Sequence, residues 1–204
     1  MTSLKLFWLY RRNIADLLYV VFRRLICPFN TMEKIIRQGP AGLLADIGCG
    51  HGLFSLYCAL RGQKIVGFEP LTKRLAHVIP AKRSFDNVLF VNGFFSLKPN
   101  GLQGAFLLDV LHHCSFLGQK QLLKQVFDGL VSGGTLVIKE ICTNDGLQYR
   151  LSSLSDRILY QNEPCCFHSH SEWVALLVSC GFTVTTAKIP SLFSTNLFIA
   201  RRGD

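Results

Sequence analysis

Residues 43–54 read LLADIGCGHGLF. An apolar run ends in one acid, Asp46, and glycines follow at alternate positions, Gly48, Gly50 and Gly52, before apolar residues resume. A short apolar run bounded by glycines reads as a buried strand. Glycines straight after it supply a tight turn and remove the Cβ atoms that would hold a ligand away from the backbone. In an open parallel sheet, ligands sit beyond the carboxyl ends of the strands. The stretch therefore predicts a strand, a turn that binds something, and a helix.

Working outward, strand-like runs at Leu43 to Ile47, Lys64 to Glu69, Val88 to Asn92, Ala105 to Val110 and Thr135 to Cys142 alternate with helix-like runs at Leu53 to Leu60, Leu71 to Val78 and Gln119 to Leu130. Such alternation implies a parallel sheet covered on both faces. Ser132-Gly133-Gly134 fits a turn before the fifth strand. The chain ends differently: Ser169 and Glu172 cap a helix through Trp173, Leu176 and Leu177 to Gly181, and two strands, Phe182 to Lys188 and Leu197 to Ala200, follow in succession. They are expected to close the sheet as an antiparallel pair.

Before this unit, Leu4, Phe7, Trp8, Ile14, Leu17, Leu18, Val21, Phe22 and Leu25 recur at helical spacing, with Arg12, Asp16 and Arg23 on the opposite side. This predicts one or two amphipathic basic helices. Asn30 with Glu33 resembles a capping box opening a short helix that Gly39-Pro40 ends. Residues 1–40 thus read as a helical extension or lid and 41–204 as the main domain. The alternative to a lid is an interfacial membrane helix; no run of uncharged apolar residues is long enough for a transmembrane span. The expected location is the cytoplasm, with the inner face of a membrane as the alternative contact.

The 204 residues suit one domain, and a formal charge of +9 points to an anionic partner: nucleic acid, an anionic membrane surface or an acidic protein. The eight cysteines form no CxxC pair and read as small buried hydrophobes. Cys165-Cys166 beside His168 and His170 reads as a loop, so no metal is expected.

A dinucleotide fingerprint starting at Gly48 requires glycine at position 53, which is Leu53. ADIGCGHG instead resembles motif I of the class I S-adenosylmethionine-dependent methyltransferases, and the resemblance extends over residues 41–204. It implies a Rossmann-like α/β fold with a seven-stranded, mostly parallel sheet of order 3-2-1-4-5-7-6, its C-terminal hairpin antiparallel, and helices on both faces. It also implies Asp46 near the methionine ammonium, with Gly48, Cys49, Gly50 and Gly52 forming the cofactor turn. Glu69, 19 residues after Gly50, is placed where an acid accepts hydrogen bonds from both ribose hydroxyls. Where many relatives carry Gly-Asp after the third strand, this chain has Gly93-Phe94, which leaves adenine to backbone groups, Asn92 or an aromatic face. Phe94 and Phe95 read equally well as core.

AFLLDVLHHC, residues 105–114, resembles motif IV, with Asp109 beside the cofactor. Methyl transfer needs placement above all, and a histidine suits an acceptor that must lose a proton. His112 and His113 are the candidate bases, or else a structural pair at a turn. Glu140, His168 and His170 are further candidates for the acceptor pocket. The function implied is methyl transfer to a small-molecule or lipid-like acceptor, with an anionic membrane surface or an acidic carrier protein as alternative docking partners. RNA or protein methylation and a catalytically silent cofactor-binding module are the alternatives.

Overall fold

The computed structural model describes residues 2–11, 14–39, 41–76, 78, 85–96, 100–159 and 165–203. Seven strands, β1 (Leu43–Ile47), β2 (Lys64–Glu69), β3 (Val88–Asn92), β4 (Leu102–Leu108), β5 (Leu130–Glu140), β6 (Phe182–Lys188) and β7 (Asn196–Arg202), form one sheet in the order β3-β2-β1-β4-β5-β7-β6. β1 to β5 pair in parallel, and β7 runs antiparallel to both β5 and β6. This is the order that the motif I resemblance implies.

Side chains alternate across a strand, so adjacent residues divide between the two faces. Leu44, Ile65, Phe106, Val137 and Leu197 belong to one core; their neighbours Ala45, Val66, Leu107, Ile138 and Phe198 belong to the other. The helices, in chain order, are α1 (Thr2–Tyr10), α2 (Ile14–Ile26), α3 (Phe29–Arg37), α4 (Leu53–Leu60), α5 (Thr72–Ala76), α6 (Phe116–Gly129), α7 (Leu147–Leu159) and α8 (His170–Ser179). α1 to α5 cover the first face through Leu6, Val20, Met32, Leu56 and Leu75. α6 and α8 cover the second through Leu123, Val126, Trp173 and Leu177. Ser169 and Glu172 form the expected capping box of α8.

Several local expectations are corrected. α3 opens at Phe29 behind Pro28 without a side-chain cap; Asn30 instead accepts the Tyr57 hydroxyl, and Glu33 is buried against Arg37 and, at 3.1 Å, Arg61. A buried carboxylate that can reach two guanidinium groups gains more from them than from one backbone amide at a helix start. β4 ends at Leu108, before Asp109, whose φ of 60° turns the chain out of the sheet. Ser132-Gly133-Gly134 lies inside β5, where the pairing with β4 shifts register between Leu102 and Gly104 and Gly133 takes φ 72°. The glycines accommodate a bulge. α6 begins at Phe116, with Ser115 accepting from the Gly118 amide; its exposed Phe116 and Leu117 break the apolar period that placed the start later. Of the helix expected over 71–78, Thr72–Ala76 is observed, and residue 77 lies outside the described residues.

The N-terminal segment forms two helices, and its faces are inverted in part. Ile14, Leu18 and Val21 are exposed while Arg23 turns into the protein; Arg12 lies outside the described residues. Among the described residues, no helix is long and apolar enough to cross a membrane.

Candidate active site

The turn after β1 hangs from the end of β2: the amides of Gly48 and Cys49 both donate to the Phe68 carbonyl, at 2.8 and 3.0 Å. Its glycines serve different ends. A Cβ on Gly48 would stand 2.6 Å from Val110, and one on Gly52 2.5 Å from Val78, so those two permit close packing. Gly50, at φ 55°, has no neighbour nearer than the Tyr19 hydroxyl at 3.7 Å. Its missing side chain leaves bare backbone facing a cleft, which is the cradle a nucleoside ligand requires.

Two acids flank that cradle. Asp46 is 2% exposed, and its Oδ2 accepts the Ser55 hydroxyl at 2.6 Å. Burial pushes its pKa up to about 6 against the opposing effects of the Ser55 hydrogen bond and the Arg23 charge. Glu69 is also buried; one carboxylate oxygen accepts from Gly50 N at 2.9 Å and the other from Leu71 N at 3.0 Å. Each oxygen keeps lone-pair capacity for a further donor. Together with the open backbone at Gly50, these two acids fit a nucleoside that carries a free amino group.

The third strand end behaves otherwise. Asn92 does not line the cleft: its amide donates to the carbonyls of Glu69 and Pro70 and accepts from the Thr72 hydroxyl, clipping β3 to the end of β2. Gly93, Phe94 and Phe95 do line it; Phe94 is 83% exposed, whereas Phe95 is buried in the core and packs edge-on against Phe68.

The N-terminal segment builds one wall. Tyr10 donates to the His51 carbonyl, Tyr19 packs on the His51 ring at 4.4 Å, and Arg23 pairs with Asp109 at 2.7 Å. Lys139 holds the other Asp109 oxygen. Burial raises the Asp109 pKa, but the Lys139 ammonium and Arg23 guanidinium outweigh it and hold the carboxyl well below the usual range. Asp109 is thus committed to two protein cations. Arg23 and Lys139 carried no signal in the sequence, because neither stands in a motif.

His112 and His113 separate. His112 is fully buried, its Nδ1 2.6 Å from Glu140 and its Nε2 3.0 Å from Asp156. Burial favours the neutral ring, yet the two carboxylates push its pKa up to about 10. Enclosed by the two carboxylates, His112 does not line the cleft, whereas His113 does. Glu140 does not face an acceptor pocket: besides His112, it accepts from the amides of Val110 and Leu111 and so fixes the turn after β4. His168 bonds to Gln119 and packs on Trp173, and the His170 ring packs on Phe198; neither lines the cleft. All eight cysteines are free thiols.

These residues enclose a cleft of about 1240 Å³, larger than a single small-ligand pocket of roughly 300–1,000 Å³. Its lining also includes Leu18, Phe22, Ile141, Ser152, Ser155, Asp156, Ile158 and Phe193. A sequence family described as "Methyltransferase domain" matches residues 30–187. The chain belongs to the methyltransferase-domain family. The chain is similar to eugenol O-methyltransferase of Ocimum basilicum, with 24% identity over an alignment of 149 residues that covers 68% of this chain and 39% of that enzyme. The chain thus spans about two fifths of that curated relative. Its fold is similar to that of the Burkholderia thailandensis 1,6-didemethyltoxoflavin-N1-methyltransferase, determined with 1,6-didemethyltoxoflavin and S-adenosylhomocysteine (TM-score 0.71, 16% identity, 88% of this chain and 80% of that one). Human N-acetylserotonin methyltransferase in complex with SAM is also similar (TM-score 0.68, 20% identity, 92% and 53%).

Proposed function

We propose that this protein transfers a methyl group from S-adenosylmethionine to a small-molecule or lipid-like acceptor. One observation carries the reading: bare backbone at Gly50 and the carboxylates of Asp46 and Glu69 share the wall of a cleft that is otherwise mostly apolar. Asp46 would hold the cofactor's amino group, Glu69 its ribose hydroxyls, and the backbone at Gly48, Cys49, Gly50 and Gly93 would lie along it. Bound S-adenosylmethionine supplies a methyl carbon already activated by sulfonium.

The chain's own contribution is placement and exclusion of water. Asp109 acts through its ion pairs, which hold α2 against the end of β4. His113 is the member of the histidine pair positioned to touch an acceptor. The acceptor class is supported by the cleft wall: Leu18 and Ile158 line it and remain 65% and 62% exposed, so an apolar molecule would cover surface that the fold leaves wet. Eugenol O-methyltransferase and N-acetylserotonin methyltransferase are named for small-molecule substrates. The +9 charge supports an anionic surface, such as a membrane or an acidic carrier protein, as a docking partner.

Calorimetric titration with S-adenosylhomocysteine tests the reading. Saturable 1:1 binding is expected, and Glu69→Gln should weaken it about 10- to 100-fold, because a hydrogen bond to a charged acceptor contributes about 1.5–3 kcal/mol. Absence of saturable binding to the unaltered protein would refute the proposal. Binding without turnover across a broad acceptor screen would favour the silent module.

A further inference from the structure

We infer that His112, His113 and Asp156 form a binding site for a divalent transition-metal ion, zinc by its donor set, at the wall of the cleft. Each of the three offers a ligand atom, and these atoms lie within 4.8 Å of one another. His112 Nε2 and Asp156 Oδ2 are both buried and approach to 3.0 Å without an aligned hydrogen bond between them. With zinc–ligand bonds of about 2.0–2.2 Å, two ligands of one tetrahedral ion stand roughly 3.3 Å apart. At 3.0 Å the observed pair stands about 0.3 Å closer than that, so an ion would part the two slightly.

The surroundings match what a ligating histidine needs. Its second ring nitrogen normally donates to a carboxylate that fixes the tautomer and aims the free lone pair at the metal. Glu140 occupies that position on His112 Nδ1 at 2.6 Å, and Glu140 is itself held by the amides of Val110 and Leu111. Two imidazoles and a carboxylate suit zinc better than magnesium or calcium, which favour oxygen ligands. His113 and Asp156 line the cleft, so a three-ligand set leaves a coordination position on the acceptor side, as catalytic zinc sites do.

That open position bears on the substrate, and here the inference rests on the methyltransferase reading. An acceptor hydroxyl bound to the ion would lose its proton to solvent near neutral pH, which removes the need for a protein base and narrows the acceptor to an oxygen nucleophile. The rival is the same trio held together without an ion, as an imidazolium between two carboxylates.

The test uses the full chain stripped with a chelator and titrated by calorimetry, with zinc chloride and, separately, with S-adenosylhomocysteine. One equivalent of zinc is expected, and Asp156→Asn and His113→Gln should each weaken it at least 10-fold. His112, being fully buried, is left unaltered. No saturable zinc uptake, or uptake unchanged in both variants, would overturn the site. Should the variants fail to fold, cobalt(II) in the unaltered protein decides: a spectrum free of thiolate-to-metal charge transfer supports the nitrogen and oxygen ligands. A thiolate band would move the ion to Cys165 or Cys166 and overturn the assignment. Binding of S-adenosylhomocysteine without zinc uptake removes the ion and leaves the methyltransferase reading intact, and the converse result does the opposite.

Discussion

Asp46→Asn is expected to make the protein more stable and, at the same time, far less able to bind its cofactor. The Asp46 carboxyl has a folded pKa of about 6, raised chiefly by burial, whereas an unfolded aspartate titrates near 3.9. The folded state therefore holds the proton more tightly than the unfolded chain does. Below about pH 4 both states are protonated and Asp46 imposes no penalty. As pH rises from about 4 to 6, the unfolded chain ionises first and stability falls; above 6 the loss is complete, about 3 kcal/mol for a shift of about two units. Asparagine keeps the shape and can still accept the Ser55 hydroxyl, so at pH 7.5 the variant should gain about 1–3 kcal/mol, or roughly 2–10 °C in Tm. The gain should vanish near pH 4. A cofactor ammonium placed beside Asp46 needs the ionised form, so the variant should lose at least about 100-fold in affinity, the value of about 3 kcal/mol for a buried charge left unpaired. In the unaltered protein, affinity should rise between pH 4 and 6. Equal S-adenosylhomocysteine affinity in the variant would remove Asp46 from the cofactor site, and a lower Tm at pH 7.5 would refute the burial penalty.

Such a trade explains why the sheet and the glycine turn were legible in the sequence. β1 is buried on both faces, so it reads as an unbroken apolar run, and the one carboxylate within it is costly enough to signal a use. The turn is legible because Gly48, Gly50 and Gly52 answer to backbone geometry and close packing, which leave a local mark on the chain. The remainder of the site leaves none. His112 and His113 are adjacent and chemically identical in sequence; what separates them is Glu140, 28 residues later, and Asp156 on α7. Asn92 sits where a ligand contact was expected, but its amide is taken up by Glu69, Pro70 and Thr72.

Arg23 shows the limit of periodicity most plainly. A helical pattern sorts α2 into two faces by transfer energy, and on that scale Arg23 belongs with the solvent. The fold instead leaves Ile14, Leu18 and Val21 exposed and brings Arg23 to Asp109, because a buried carboxylate at the end of β4 needs a counter-charge and α2 passes within reach. α7 raises the same point: Leu147, Leu151, Leu154 and Ile158 keep helical spacing yet remain exposed, while Ser152, Ser153 and Asp156 on the same helix are buried. Of these exposed apolar residues, Leu18 on α2 and Ile158 on α7 line the cleft.

Asp109→Asn should be the most destabilising change at this site, even though it alters shape least. Asparagine tolerates the left-handed backbone that Asp109 adopts at φ 60°, so conformational strain adds little. What the substitution removes is the anion between Arg23 and Lys139, whose side chains are 18% and 3% exposed. Two largely buried cations would then stand together without the anion between them. Breaking a buried pair costs about 3–5 kcal/mol, which for a chain of this length lowers Tm by roughly 6–20 °C. Lys139→Met should cost less, about 1–3 kcal/mol, because Asp109 keeps Arg23 as a partner. The double variant Asp109→Asn/Lys139→Met should recover part of the single Asp109→Asn loss, since Arg23 alone can turn toward solvent; a coupling of about 1–3 kcal/mol is expected from urea unfolding of all four proteins. Additive effects within about 0.5 kcal/mol, or an unchanged Tm for Asp109→Asn, would show that the three charges do not act as one unit. Because Arg23 ties α2 to the cleft wall, the same substitution should also weaken S-adenosylhomocysteine binding, and Lys139→Met should leave that tie in place.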